Sequence, residues 1–106
     1  MIITPAATII GRPTTATMGL VRGNTIRARH IGKDILAVFK SIIGGEIEEY
    51  TKMMGEAREQ AIDRMVAEAL SLGADAVVNV RFTTSVVMGG ASEMLAYGEA
   101  VRIEKA

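Results

Sequence analysis

The chain contains no cysteine and no tryptophan, and its 106 residues include only two phenylalanines and two tyrosines. Without cysteine there can be no disulfide bond and no metal site built from thiolates. So few aromatic rings provide no platform for stacking nucleic-acid bases. The core must therefore be built from aliphatic side chains, together with some of the seven methionines.

The chain also lacks an excess of charge and a long apolar segment. Its 12 basic and 12 acidic residues cancel, so it has no general attraction to nucleic acids or to anionic membranes. No uncharged run approaches the ~20 residues that a membrane span needs, and residues 1–5 do not begin a signal peptide. We therefore expect a cytoplasmic protein with no nucleic-acid or membrane partner.

Apolar residues are abundant for so small a chain. One domain of this length buries roughly 60–68% of its unfolded surface, whereas 49% of the residues are hydrophobic. This is more apolar material than one core can hide. The composition therefore predicts that the protein contacts further copies of itself.

The first part of the chain has the composition of β-strands. Residues 1–14 are interrupted by two prolines, which predicts an edge strand or an arm. Residues 15–29 are rich in Thr, Val and Ile, which predicts one bent strand or a pair of strands. Gly19 and Gly23 within them indicate bulges or a close backbone approach. Residues 33–43 have helical apolar spacing and predict a short, mostly buried helix.

A long amphipathic helix is predicted from about residue 46 to residue 72. Ile62, Val66 and Leu70 form a second apolar flank, about 100° around the helix from its main stripe. A helix that is apolar on two flanks contacts two surfaces, here a sheet and either a partner subunit or the short helix. Gly73 is well placed as the left-handed cap of the helix. The main stripe recurs at spacings of three and four and consists of Ile47, Tyr50, Met54, Ala57, Ala61, Met65, Ala69 and Leu72.

Two strands complete the pattern. Residues 76–86 alternate between apolar and polar side chains, which predicts a half-buried strand, and residues 94–104 pair with it as an antiparallel hairpin. The predicted fold class is α+β, a single domain over residues 1–106. It is a two-layer β-α-β-β unit, with a small antiparallel sheet packed on one long and one short helix. The alternation predicts one shared face for Ala76, Val78, Val80 and Phe82, and the opposite face for Asn79, Arg81, Thr83 and Ser85.

Several short motifs run through the chain: residues 19–21 with Gly23, residues 43–45, Tyr50, residues 57–58 with Ala61, and residues 72–78. In this order and spacing they resemble the YbjQ family of small bacterial and archaeal proteins, and the likeness covers nearly the whole chain. The resemblance implies a dodecin-like subunit assembled as a homopentameric ring. It implies no established biochemical activity, although the family is often labelled heavy-metal-binding.

Tyr50, Arg58 and Asp34 are the predicted ligand-binding residues. Tyr50 and Arg58 lie about two turns apart, near one face of the long helix. Arg58 borders the apolar stripe, where a buried guanidinium would need a carboxylate, and Asp34 or Asp75 could supply it. The alternative interpretation is a structural ion pair that binds no ligand.

The residues give little support to metal binding or catalysis. His30 is the only histidine, and one imidazole cannot build a tight metal site. The methionines are interpreted as core residues and not as ligands of a soft metal. With one His and no Cys, neither a Ser-His-Asp nor a Cys-His catalytic set is indicated. Arg22, Arg27, Arg29 and His30 form a modest basic patch, interpreted as a solvated strand edge.

Three functional hypotheses follow. The preferred one is a non-enzymatic homo-oligomer, a pentamer by the resemblance, that binds a small ligand or an ion at its subunit interfaces or scaffolds other proteins. The second is a heavy-metal-binding protein, as the family label suggests. The third is an enzyme with Tyr50, Arg58 and Asp34 in a shared pocket. The prediction includes no cofactor, no catalytic residue and no metal-ligating residue.

Overall fold

A four-stranded sheet and one long helix make up the described part of the chain. The computed structural model describes residues 1–27, 47–86 and 91–105, and of residues 47–51 it describes the backbone only. The predicted short helix, residues 33–43, lies outside the described residues. The elements are β1 (Ile2–Ile3), β2 (Thr14–Arg27), α1 (Ile47–Ser71), β3 (Ala76–Val86) and β4 (Ser92–Ile103).

The sheet has the strand order β1-β3-β4-β2. β4 pairs antiparallel with both β3 and β2, which confirms the α+β class and the β-α-β-β order of β2, α1, β3 and β4. β1 instead pairs parallel with β3, with Ile2 beside Ala76. The sheet is therefore mixed, and the prediction of a purely antiparallel sheet is wrong. Because β4 is already paired on both sides, β1 can join the sheet only at an outer edge, as predicted for residues 1–14.

β2 is one long, irregular strand. Its register against β4 shifts twice, between Thr14 and Ala16 and between Thr17 and Gly19. Gly19 has a φ of 117°, a backbone conformation that glycine adopts far more readily than other residues. These shifts confirm the predicted bent strand and the predicted bulge at Gly19.

α1 packs across β2 and β4 and touches β3 least. The four central residues of its predicted stripe are fully or almost fully buried against the sheet, as expected for one apolar face. Leu72, the predicted end of that stripe, is 42% exposed. The helix ends at Ser71, before the stripe can continue, so this part of the prediction is wrong. The buried residues are Ala57, Ala61, Met65 and Ala69.

The C-terminus of α1 is closed by the predicted glycine cap. Gly73 has a φ of 79°, and its N–H donates to the carbonyl oxygen of Leu70 at 3.0 Å. The N–H of Ala74 donates to the carbonyl oxygen of Ala69 at 3.1 Å. These two bonds form a Schellman motif, which satisfies carbonyl groups that the helix leaves unpaired. The guanidinium of Arg102 donates to the Gly73 carbonyl oxygen at 3.1 Å and adds positive charge at the negative end of the helix dipole.

A β-bulge interrupts β3. Asn79 has a φ of 55°, and Asn79 and Val80 together lie opposite Gly98 of β4. The extra residue reverses the alternation of side chains beyond it. The prediction that Ala76, Val78, Val80 and Phe82 share one face is therefore wrong. The side towards α1 holds Val77, Val80 and Phe82, and the other side holds Ala76, Val78, Arg81, Thr83 and Ser85.

Apolar side chains are buried on both sides of the sheet. The main cluster lies between the sheet and α1 and includes Val21, Met65, Val77 and Met94. On the other side, the described residues that cover the sheet belong to the N-terminal segment and lie over one end of it. We call the remainder of that side the open face. The covered end consists of Ile2 and Ile9 packed on Ala76, Val78, Val101 and Ile103.

At Gly23 the helix and the sheet meet backbone to backbone. A β-carbon at this position would overlap the carbonyl oxygen of Ala61 and the amide nitrogen of Met65. Close by, the hydroxyl of buried Thr25 donates to the carbonyl oxygen of Ala57 at 2.9 Å. This contact confirms the close backbone approach predicted for Gly23.

We expect Gly23→Ala to lower the free energy of unfolding by about 3 kcal/mol, because backbone atoms of α1 cannot move aside individually. Gly55→Ala is the matched control, since its new β-carbon would meet only the Arg58 guanidinium, at 3.8 Å. That control should gain about 0.5–1 kcal/mol, because glycine is a poor residue inside a helix. Urea unfolding followed by circular dichroism measures both. A stability of Gly23→Ala equal to wild type would contradict the backbone contact.

Candidate functional site

The structure describes one side chain of the three predicted ligand-binding residues. Arg58 lies on α1 and is exposed to solvent. Tyr50 lies in the first turns of α1, where only the backbone is described, and Asp34 lies outside the described residues. A site formed by these three residues therefore stays a prediction.

Asp75 is not the partner of Arg58. The carboxylate of Asp75 accepts a hydrogen bond from the N–H of Ile103 at 3.2 Å, beyond the end of α1. Arg58 precedes Ser71, the last residue of α1, by 13 positions (71 − 58), which is about 20 Å along the helix. The Asp75 alternative is therefore wrong, because the two groups lie at different ends of the domain and an exposed guanidinium needs no buried carboxylate. The Asp34 alternative stays a prediction.

The predicted basic patch is divided between the two sides of the sheet. Arg22 lies on the open face, where it pairs across the strands with Tyr97. Arg27 is an odd number of positions away and points towards α1, where it donates to the side-chain oxygen of Gln60 at 2.9 Å. Arg29 and His30 lie outside the described residues. In the part of β2 that is described, the arginines thus do not form one cationic surface.

A row of three side chains crosses the open face. Arg22 of β2 lies directly opposite Tyr97 of β4, and Tyr97 lies directly opposite Arg81 of β3. Side chains at such positions are about 4.5–5.5 Å apart at their β-carbons. Arg22 and Arg81 therefore occupy the two positions beside Tyr97, from which a guanidinium that turns towards the ring gains roughly 0.5–1 kcal/mol as a cation–π contact at an exposed site.

The N-terminal segment holds one of these arginines. The Arg81 guanidinium donates to the carbonyl oxygen of Pro5 at 2.9 Å and to that of Val80 at 2.8 Å. Asn79, at the bulge beside it, donates its backbone N–H to the carbonyl oxygen of Ala6 at 2.9 Å. The segment that covers one end of the sheet thus also fixes the boundary of the open face.

Carboxylates next to the row are held by asparagine side chains. Asn24 donates to Glu93 at 3.3 Å, and Asn79 donates to Glu99 at 3.5 Å. The open face therefore carries both acidic and basic side chains. Such a surface can recognise a carboxylate or phosphate group through its arginines, and it can equally match a protein surface of mixed charge.

Large apolar side chains are exposed on β2, one on each side of Arg22 along the strand. On β2, Leu20 is 65% exposed and Ile26 is 61% exposed. Both have the same parity as Arg22 and so lie on the open face beside it. The described part of the open face thus combines a charged centre with an apolar rim.

A second apolar surface lies on the other side of the sheet. The predicted flank of α1 is partly buried at Ile62 and Val66, and it is 59% exposed at Leu70. The helix residues Gln60, Arg64 and Glu68 face β2. The flank therefore faces the β3 side, where Phe82 is 44% and Val86 is 83% exposed. We call this the α1–β3 surface. It consists of Ile62, Val66, Leu70, Phe82 and Val86.

The amino-acid sequence predicts only part of the open face. Tyr97, Leu95 and Val101 lie at even spacing on β4, so simple alternation along a strand places them on one side of the sheet. The row was missed because β2 and β3 must first be placed on either side of β4, and sequence alternation gives no register. A search for an aromatic residue flanked by arginines on both paired strands would have found it once the strand order was known.

Metal ligands are not clustered in the described residues, where no three His, Cys, Asp or Glu side chains are placed to hold an ion. In the same part of the chain, no helix is long and apolar enough to cross a membrane.

Comparison with known proteins identifies the relatives of this fold. A family model, YbjQ_1, described as "Putative heavy-metal-binding", matches residues 1–104. The chain belongs to the YbjQ family. A UPF0145 protein of Methanosarcina acetivorans is 59% identical over 103 residues, which cover 97% of each chain. Another, from Photobacterium profundum, is 55% identical over 97% of this chain and 100% of its own.

A solved structure has the same overall fold. It is a crystal structure of a protein of unknown function from Pediococcus pentosaceus, assigned to the DUF74 family. It matches with a TM-score of 0.69 over 98% of both chains, at 17% sequence identity. At this identity the likeness supports the fold of the YbjQ-family chain and says nothing about its activity.

We expect Asn79→Ala to lower the free energy of unfolding by about 1–2 kcal/mol, since alanine is strained at the left-handed conformation of the bulge. Asn79→Gly should be less destabilising, because glycine adopts positive φ without cost. Both substitutions remove the contact with Glu99, so the difference between their unfolding free energies measures the backbone strain at position 79. Chemical denaturation of both variants provides the comparison, and equal losses would argue against the bulge geometry.

Proposed function

We propose that this YbjQ-family chain is a non-enzymatic homo-oligomer that binds a small ligand or an ion between its subunits, or holds other proteins together. A ring of five subunits is the assembly that the family resemblance implies. The observation that carries the proposal is the exposure of large apolar side chains on both sides of the sheet. Isolated soluble domains seldom expose several such patches unless a partner covers them.

The open face supports subunit contact. Leu20 and Ile26 are each more than three-fifths exposed, and burying them removes apolar surface from water at roughly 25 cal/mol per Å². The Arg22–Tyr97–Arg81 row between them supplies hydrogen-bond donors and a flat aromatic ring. A mixture of an aromatic residue, arginines and aliphatic residues is typical of the centre of protein interfaces.

The same row supports ligand binding at such an interface. Two guanidinium groups on one face can contact a single carboxylate or phosphate group, and their affinity would rise when a neighbouring subunit excludes water. The ligand class that this chemistry favours is a small anion. Tyr50, Arg58 and Asp34 remain a second predicted set of ligand-binding residues.

Native mass spectrometry of protein purified without an affinity tag tests the assembly. We expect a mass of five subunits or of a multiple of five, together with a reproducible adduct if a ligand is retained. A bare oligomer would favour the scaffold role. A monomer at micromolar concentration would overturn the proposal, because the exposed apolar surfaces would then have no partner.

Heavy-metal binding is a second candidate function, favoured by the description of the family. The residues present fit it poorly. The sequence has no cysteine and one histidine, and the described residues hold no group of three His, Cys, Asp or Glu ligands. A metal site would therefore need residues from more than one subunit.

Elemental analysis of the untagged protein, together with thermal unfolding in the presence of Zn, Cu, Ni or Cd, decides between the two candidates. We expect less than one equivalent of any metal per subunit and no rise in melting temperature, because the donor set is too sparse. A stoichiometric metal that resists dialysis would favour the metal-binding function. Wild-type protein treated with a chelator and dialysed serves as the control.

A further inference from the structure

The outer edge of β2 is blocked by two side chains of α1. The N–H of Arg22 donates to the carboxylate of Glu68 at 3.4 Å, and the guanidinium of Arg64 donates to the carbonyl oxygen of Asn24. These are the backbone groups with which a further strand would pair. Charged side chains at this position prevent the sheet from extending beyond β2.

Within residues 1–27, 47–86 and 91–105, the outer edge of β3 is covered only along its first half. There the N–H of Asn79 donates to the carbonyl oxygen of Ala6 at 2.9 Å, and the N–H of Val80 donates to that of Thr4 at 3.1 Å. Beyond Val80, the strand pairings of the described residues continue on the β4 side alone. All the side chains of residues 81–86 are exposed, whereas Val80 and residues 76–78 are buried.

The backbone groups on this uncovered stretch can be assigned from the alternation. Arg81 lies opposite Tyr97, and because Val80 directs its N–H outwards, every second residue beyond it does the same. The outward groups therefore belong to Phe82, Thr84 and Val86. We call residues 82–86 the β3 edge.

We propose that the β3 edge pairs antiparallel with the same edge of a second copy of this chain, about a twofold axis at Thr84. The proposal rests on the proposed self-assembly and names one of its contacts. In this register Thr84 lies opposite Thr84 of the second copy, and Phe82 lies opposite Val86. Each copy contributes three outward N–H groups and three outward carbonyl groups, so the pairing makes about six hydrogen bonds.

The β3 edge is complementary to itself. Residues 82–86 carry no charge, so no like charges meet when two copies pair. Phe82 and Val86 lie on the side of the sheet that faces α1, where they are 44% and 83% exposed. The twofold pairing places each against the other, and aromatic and β-branched residues make favourable cross-strand pairs. A second copy therefore fits this edge better than a strand that carries charges.

A twofold contact has a consequence for subunit number. It cannot close a five-membered ring, because it uses the same surface on both partners. Added to a ring of five, it joins two rings into ten subunits. The subunit number must therefore be even, and it must halve when the β3 edge is blocked.

Thr84→Pro is the sharpest test. Proline removes the N–H at the centre of the proposed contact, while an edge position of β3 tolerates the missing donor. Thr84→Val is the matched control, since it retains the N–H and loses the same hydroxyl contact with Met94. We expect native mass spectrometry to give half the wild-type subunit number for Thr84→Pro and the full number for Thr84→Val. Circular dichroism and thermal unfolding confirm that each variant is folded.

Thr84→Lys keeps the proposal testable if the proline variant fails to fold. Two ammonium groups would then lie opposite each other at the twofold axis, so the halved assembly should predominate at low salt and revert towards the wild-type number at high salt.

The outcomes separate the edge contact from the ring. Ten subunits that fall to five in Thr84→Pro support both. A wild-type pentamer, or a subunit number that neither the proline nor the lysine variant changes, overturns the edge contact and leaves self-assembly intact. A wild-type dimer that Thr84→Pro converts to a monomer supports the edge contact and overturns the ring. A wild-type monomer overturns both.

Discussion

The backbone of α1 touches the backbone of β2 at Gly23, and the rest of the packing depends on this contact. Because glycine has no β-carbon, Ala61 and Met65 can lie directly on the strand. This proximity explains why the buried stripe of α1 is mostly alanine, since larger side chains would hold the helix away. It also brings Arg64 close enough to bond the backbone of β2. The absence of a side chain at Gly23 thus sets how closely α1 lies on the sheet and which side of the helix is buried against it.

A second constraint acts on the opposite strand. The bulge at Asn79 places two residues of β3 against Gly98, where Val77 and Val80 fill the space that a side chain would occupy. The apolar start of β3 can therefore be buried on both sides of the sheet. Past the bulge, Arg81 is directed to the open face beside Tyr97. The residues of β3 before the bulge are therefore part of the core, whereas Arg81 after the bulge belongs to a candidate binding surface.

These two constraints leave different surfaces for interaction. The helix covers β2 and β4 and blocks the outer edge of β2, so it leaves the second half of β3 uncovered. The N-terminal segment covers one end of the other side and leaves the open face with its charged centre and its apolar rim of Leu20 and Ile26. Association with a partner would remove the apolar side chains of both surfaces from water, in agreement with the high apolar content and small size of the chain.

Short-range patterns in the amino-acid sequence were enough to predict the individual elements. The bounds of α1, its buried stripe, its cap at Gly73 and the final hairpin could be predicted because they depend on spacings within a few residues. The backbone approach at Gly23 was also visible, since glycine within a strand has few other uses. Three features became visible only in the folded chain: the parallel pairing of β1, the reversal at Asn79 and the row of Arg22, Tyr97 and Arg81. Each of these depends on which strand lies beside which and in what register, and residues that are distant along the chain set that register through packing.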